Sequence, residues 1–469
     1  MTKKIALFDL VNPIDFRYYG GDEKLVQKLS PYFSENARIA SHAKVEACLA
    51  RALAKNGVCS KKIADEIAQA CEKVSAEEVY DEEKITRHDI RALANVIKRK
   101  VSAEAKPFVH FAATSYDIVD TASAYRYKKA VEEALIPELV ELEKTFIEIA
   151  LREKASLQIG RTHGQHAEPI TFGFAVSSYV SRLGNRIKNV YRAKDKLCGK
   201  FSGAVGAYNA SALLIKDPLK FENDVMAELG IETSLSSTQI AEPEPLADLS
   251  HTIISAFSVL ANFSDDMRNL QRSEIGEIGE AFDSKQVGSS TMPHKRNPIN
   301  FENVKSLWKV FMPRSITAYL DEISEHQRDL TNSASQRFTP ELILALYLAA
   351  NRLNRTCKKL VVDRQNMLAN FNKSRQNIIA EPMYLLLAFY GHSDAHEKVK
   401  QLTLEAEKTQ KPLAEIAFAN SELKPFFTKF SKQQLALLEK PEHYTGLAEK
   451  KTELVCAHWQ KKLKELKLL

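Results

Sequence analysis

The chain has 469 residues, 44% hydrophobic and 27% charged, with 66 Lys and Arg against 60 Asp and Glu, a net charge of +6. This balance excludes a disordered chain, and the length excludes a single small core; about two to four domains are expected. The slight basic excess is dispersed among acids rather than gathered in a stripe, so no nucleic-acid partner is expected.

The N-terminal stretch "MTKKIALFDLVNP" carries a short apolar patch broken by Asp9, which is unlike a secretory signal. Up to about residue 111 the segments are short and include the polar run "SAEEVYDEEKITRHD". From 112 to 363 helical periodicity dominates. Val131, Leu135, Leu139, Leu142 and Phe146 form one apolar row, in which Pro137 predicts a kink or a restart. Val176, Val180, Leu183, Ile187 and Val190 form a second, and Leu246, Leu249, Ile253, Phe257 and Leu260 a third. Leu342, Leu346, Ala349, Leu353 and Cys357 form a fourth. From 364 to 469 the helices shorten, ending in an amphipathic segment with Val455, Trp459, Leu463 and Leu466 on one face. Gly and Pro number only 16 each and strand-like alternation is scarce. The fold class is therefore all-α, divided at 1–111, 112–363 and 364–469 around a central long-helix bundle. Several middle helices are more apolar than a two-layer packing would hide, so a homo-oligomer is expected. No run approaches about 18 apolar residues, so no membrane span is expected. Cys48, Cys59, Cys71, Cys198, Cys357 and Cys456 show no CxxC, zinc or disulfide spacing, which fits a reducing, cytoplasmic setting.

Four gaps between helical segments concentrate hydroxyl, imidazole and cationic side chains: "HFAATSYD" (110–117), "GRTHGQHAEP" (160–169), "GSSTMPHKRNP" (288–298) and "HQRDLTNSASQR" (326–337). Such groups bind carboxylates and phosphates and move protons. Simpler readings exist. Thr114 and Ser115 suit a helix cap with Asp117 in its first turn. Arg328, Ser333 and Arg337 suit a solvated helix end. His163 with His166, and His392 with His396, have metal-pair spacings but lack a third ligand or an HExxH motif, so no metal is expected. Residues 288–298 resist a purely structural reading, because they join mobile Gly-Ser-Ser to Lys295 between Pro293 and Pro298. There is no P-loop, no GxGxxG and no GxSxG, and no cofactor is expected.

The 288–298 stretch resembles the signature of the fumarase/aspartase superfamily, whose members cleave C–N or C–O bonds and release fumarate. Arg17-Tyr18, "TRHD" (86–89), "SSTQI" (236–240) and the other gaps, in order, resemble the adenylosuccinate lyase family within it, over about residues 12 to 400. Departures occur at "AEPEP" after "STQI" and at His166, where some relatives have Pro. The resemblance implies three helical domains and a homotetramer that pools the central helices into one core and shares active sites between subunits. It implies adenylosuccinate and SAICAR, the succinylated aminoimidazole carboxamide ribotide, as small-molecule substrates.

It also implies roles. Ser289 is the base, aided by positive charge and desolvation. His163 is the acid serving the leaving nitrogen, and Lys295 and Asn297 hold the carboxylate on which charge develops. Ser290, Thr114 and Ser115 are further donors. His88 either orients His163 or sits near the phosphate. Arg17, Tyr18, Arg328, Ser333 and Arg337 engage the nucleotide half, and Gln239 bonds the substrate. Arg87, Asp89, Thr162, Arg296, Glu302 and Asn303 line the site. Two alternatives stand beside this reading. One is a related lyase acting on argininosuccinate, aspartate, fumarate or a carboxymuconate. The other is a helical scaffold without activity.

Overall fold

The computed structural model describes residues 6–282, 291–292 and 294–468. It is all-α, with twenty α-helices, short 3-10 and π turns, and six short strands among the described residues. Two compact units emerge: Met1–Val140, Asn185–Leu260 and Ser306–Arg352 form one, and Glu141–Gly184, Ala261–Lys305 and Leu353–Leu469 the other. The division falls inside five helices, Ile136–Arg152, Phe172–Lys194, Glu244–Leu270, Ile299–Phe311 and Thr339–Cys357.

The apolar rows are where the periodicity puts them. Every member of the rows that begin at Val131, Val176 and Leu342 is buried, and Leu249, Ile253, Phe257 and Leu260 follow suit. Each fully buried aliphatic side chain contributes about 1.5–3 kcal/mol, which outweighs helix propensity in these β-branched segments. The break at Pro137 is present. A π-helical turn, Val131–Leu135, hands over to the helix Ile136–Arg152, where the proline's missing N–H falls in the first turn.

In the first unit the helix Glu35–Lys55 is buried along most of its length and packs against Lys61–Cys71, Ser115–Ala130 and Pro218–Leu229. In the second unit Phe263 is the centre of an aromatic group. It stacks on Phe146 at 4.4 Å and meets Tyr179 edge-on at 5.1 Å. The C-terminal helix Ala448–Glu465 seats Trp459 directly on Gly184, where an added Cβ would lie 2.3 Å from the indole, so only glycine permits the contact.

Two findings depart from the sequence reading. The stretch 160–169 belongs to a β-hairpin, Leu157–Thr162 with Gln165–Thr171, rather than to an irregular gap. The helix Glu244–Leu270 is long and apolar enough to cross a membrane by length and composition, although no unbroken apolar run exists. Its most apolar 18-residue window has a mean hydropathy of 1.2 and is 61% buried, which is the pattern of a core helix covered on several sides.

Glu143, on the helix Ile136–Arg152, is fully buried, and neither of its carboxylate oxygens has a hydrogen-bond partner among the described residues. Burial pushes its pKa well above the ordinary carboxylate range. Because the folded-state pKa is raised, the folded form is favoured most at low pH. That advantage is lost as pH climbs above about 4.3, the unfolded value. Glu143→Met should therefore stabilise the protein at pH 8 by about 1–3 kcal/mol and flatten its stability-versus-pH curve. Thermal melts across pH check this; an unchanged curve contradicts it.

Candidate active site

The second unit holds the hairpin and the described residues of the 288–298 stretch. The hairpin turns in two residues, His163 (φ 53°) and Gly164 (φ 76°), the left-handed pair that a two-residue turn requires. A bulge between Ile159 and Arg161 depends on Gly160, whose Cβ would meet Glu168 O at 2.6 Å. Ile159 anchors the first strand on Phe371 and Ile378 of the helix Arg364–Ile378. Below the turn, the buried Glu277 carboxylate accepts from Arg161 Nη2 at 2.6 Å and Nη1 at 3.2 Å, from Gln158 Nε2 at 2.7 Å and from Asn370 Nδ2 at 2.9 Å. Four donors satisfy both oxygens, so the ion pair is held in one geometry. His163 is thereby presented, exposed, at the tip of a rigid ribbon, with Thr162 exposed beside it. His166 turns inward, with Nδ1 2.7 Å from Ser374 Oγ; burial lowers its pKa and the Arg161 charge adds to the effect. It is therefore a satisfied structural histidine, and His163 bonds to nothing among the described residues.

Lys295, Arg296, Asn297 and Glu302 line a cavity of about 630 Å³ with Arg268, Arg272, Glu274 and His294. Four cationic side chains face two carboxylates, a field suited to an anionic ligand. The loop backbone is tied down where Gln271 Nε2 donates to Arg296 O at 3.2 Å, and Arg296 lies 5.4 Å from the Phe282 ring centre. Glu280 caps the helix Ile299–Phe311 by accepting from Asn300 N and Phe301 N, each at 2.9 Å, which fixes where Glu302 and Asn303 emerge. Ser289 and Ser290 lie outside the described residues.

The first unit holds the remaining candidates. Thr114 is the N-cap residue of the helix Ser115–Ala130, with Asp117 in its first turn, and Thr114 N donates to Asp117 Oδ2 at 2.8 Å. Asp117 does more than cap. It is fully buried, ion-paired with the equally buried Lys200, and accepts from Gly203 N at 3.3 Å. His110 is half-buried, with Nδ1 2.6 Å from Glu46; burial, the largest effect, lowers its pKa, but the Glu46 charge and hydrogen bond together with the Asp117 charge outweigh it, and the net shift is upward. These contacts seat Thr114 and Ser115 at the start of the helix Ser115–Ala130. His88 caps the helix Asp89–Arg99, accepting at Nδ1 from Arg91 N at 3.3 Å, and its Nε2 lies 3.4 Å from Ser115 Oγ. Arg87 precedes it in a left-handed conformation (φ 51°), exposed. Arg328 Nη1 donates to Gln239 Oε1 at 2.9 Å, and the guanidinium carbon stands 3.4 Å from the centre of the Tyr116 ring. Arg337 donates to Ser333 O at 2.7 Å, which leaves its guanidinium largely exposed. Arg17 and Tyr18 lie on a π-helical turn, Ile14–Tyr19, whose leading segment is tied by Asn12 Nδ2 to Glu341 Oε1 at 2.7 Å, four residues beyond Arg337.

The structure thus joins His88 to Ser115, Arg328 to Gln239, and Lys295 to Asn297 and Glu302 around one cavity. Sequence reasoning missed Tyr116, Arg268, Arg272 and Glu277. Tyr116 was within reach, since it stands in the quoted 110–117 stretch; the others carry no local signal. No group of three or more His, Cys, Asp or Glu among the described residues is placed to hold a metal ion.

Comparison with known proteins adds independent information. A family model described as "Lyase" matches residues 17–311, and one described as "Adenylosuccinate lyase C-terminal" matches residues 324–445. The adenylosuccinate lyase of Pyrococcus horikoshii is 35% identical over 444 residues, 93% of this chain and 95% of that protein. That of Methanocaldococcus jannaschii is 33% identical, over 93% of this chain and 94% of its own. Among solved structures, a 3-carboxy-cis,cis-muconate lactonizing enzyme from Pseudomonas putida superposes with a TM-score of 0.81 at 23% identity, covering 96% and 99% of the two chains. A fumarate lyase from Mesorhizobium sp. BNC1 gives 0.80 at 22% identity, covering 92% and 97%. These two likenesses concern the fold.

Glu277→Ala tests how the hairpin is built. It leaves Arg161, Gln158 and Asn370 pointing at an empty, buried place, and is expected to cost about 3–5 kcal/mol. A chemical denaturation midpoint equal to that of the wild type contradicts the role given to Glu277.

Proposed function

The chain belongs to the adenylosuccinate lyase family, and from that premise we propose that it removes fumarate from adenylosuccinate to give AMP, and from SAICAR to give AICAR, in purine nucleotide biosynthesis. As a member of the family it is a carbon–nitrogen lyase. The observation that carries the substrate reading is the arginine group of the first unit. Arg328, fixed by Gln239, and Arg337, largely exposed, offer forked donors that a phosphate fills and a simple dicarboxylate leaves unused.

The reaction is a β-elimination. A base takes the proton from the carbon beside a succinyl carboxylate, the electron pair spreads into that carboxylate, and the C–N bond then breaks as an acid protonates the leaving nitrogen. The hard step is the carbanion, whose charge is stabilised by fixed donors and a cation. Lys295 and Asn297 serve there, and the cationic lining of their cavity supports this. Thr114, Ser115 and Ser290 are further donors. Ser289 is assigned as the base on family resemblance. His163 is assigned as the acid; its exposed, rigid placement suits an imidazole that must meet substrate and exchange protons with water. Arg17 and Tyr18 complete the nucleotide side, with His88, Arg87 and Asp89 beside Ser115.

The same reading carries three helical domains and a cytoplasmic homotetramer with shared sites. An exposed apolar face supports self-association: Ile316 and Leu320 on the helix Arg314–Leu320 are each 62% exposed, and Ile323 just beyond is 72% exposed. A second reading, a carboxymuconate-type enzyme, rests on the fold likeness and gives the arginine group nothing to bind.

Ser289→Ala is expected to fold and bind adenylosuccinate while losing about three orders of magnitude or more in kcat. Activity near that of the wild type sinks the assignment of the base. His163→Gln should keep binding and lose the acid limb of the pH–rate profile. Mixing the two inactive variants should restore some turnover if subunits share sites.

A further inference from the structure

Tyr116 takes no part in the chemistry above, yet the arginine group is built on it. The Arg328 guanidinium carbon is 3.4 Å from the centre of the Tyr116 ring, well inside the ~6 Å range of a cation–π contact. One of the five Arg328 N–H groups goes to Gln239 Oε1 at 2.9 Å, and no other hydrogen bond from this side chain is made among the described residues. Gln239 is placed in turn. Its N–H donates to Gln327 O at 3.4 Å, and two residues on, Ala241 N donates to Asp120 Oδ2 at 3.0 Å. Tyr116 and Asp120 stand one turn apart on the same face of the helix Ser115–Ala130. One helix face therefore positions both Arg328 and the strand of chain that carries its partner Gln239. The Arg328, Asp120, Asp89 and Arg337 charges all reach Tyr116, and burial, the largest effect, raises its phenol pKa, which keeps the ring neutral.

We infer that Tyr116 is a positioning residue for the elimination: its ring, with Gln239, fixes the plane of the Arg328 guanidinium so that the uncommitted N–H groups meet the phosphate of the substrate. The inference rests on Arg328 being a phosphate ligand. A flexible arginine can reach the same phosphate, but it must lose side-chain freedom each time the substrate binds. The ring removes that loss in advance, so its effect falls on binding of the nucleotide and not on the bond-breaking step.

Steady-state kinetics with adenylosuccinate test this. Tyr116→Leu is expected to raise KM about tenfold with kcat within about threefold of the wild type, and to weaken inhibition by AMP in parallel. Tyr116→Phe, which keeps the ring, is expected to restore KM to within about twofold. Tyr116→Met, flexible and without a π face, gives the same test if the leucine variant does not fold. Arg328→Ala separates the phosphate role of Arg328 from the positioning role of Tyr116. If it leaves KM unchanged, the phosphate reading of Arg328 fails. If it raises KM while Tyr116→Leu and Tyr116→Met do not, the role of Tyr116 alone is overturned. In the Arg328→Ala background, Tyr116→Leu should add less than about twofold; a full tenfold there also overturns it.

Discussion

A single buried carboxylate, Glu277, holds the hairpin that carries the proposed acid His163. It collects both forks of Arg161, the amide of Gln158 and the amide of Asn370. Its own carbonyl accepts from Asp363 N at 2.9 Å and its own N–H donates to Leu270 O at 3.0 Å. The hairpin, the end of the helix Glu244–Leu270 and the start of the helix Arg364–Ile378 are thus pinned at one point. A charge pair taken this far out of water is a poor source of net stability, but it tolerates very few geometries. That trade suits a site in which a histidine at a two-residue turn must be aimed rather than merely present.

The first unit solves a similar problem with a different pair. Asp117 and Lys200 are both fully buried, and they tie the start of the helix Ser115–Ala130 to the loop that follows Gly199. Thr114 and Ser115, the proposed donors, stand at that fixed helix start, and Tyr116 and Asp120 organise the Arg328–Gln239 pair. The proposed site residues fall in both units. The nucleotide-side candidates are all in one, and the candidates for the acid and the carboxylate grip, His163 and Lys295, are in the other.

How much of this was legible in the sequence depends on whether the cause was local. Rows such as Val176, Val180, Leu183, Ile187 and Val190 declare burial through their spacing alone, and Pro137 declares a helix start through its missing N–H. The hairpin did not declare itself. Its strands, LQIGRT and QHAEPIT, lack clean alternation, and a bulge at Gly160 and a proline at 169 blur the pattern further. The chemically loaded stretches were found because hydroxyl, imidazole and cationic groups cluster there. Their supports were not, because Glu277 serving Arg161, and Tyr116 serving Arg328, are pairs joined only by the fold. Glu143, which follows Leu142 of an apolar row, shows the same limit from the opposite side: the fold buries it, and its carboxylate has no hydrogen-bond partner among the described residues.

One chain carries both the arginine group proposed to anchor the phosphate and the groups proposed to release fumarate. The most direct measurement is a spectrophotometric assay of the purified protein with adenylosuccinate, argininosuccinate and aspartate side by side. Fumarate released from adenylosuccinate alone is the expected result. Release from either of the other two, with adenylosuccinate left intact, would contradict the account.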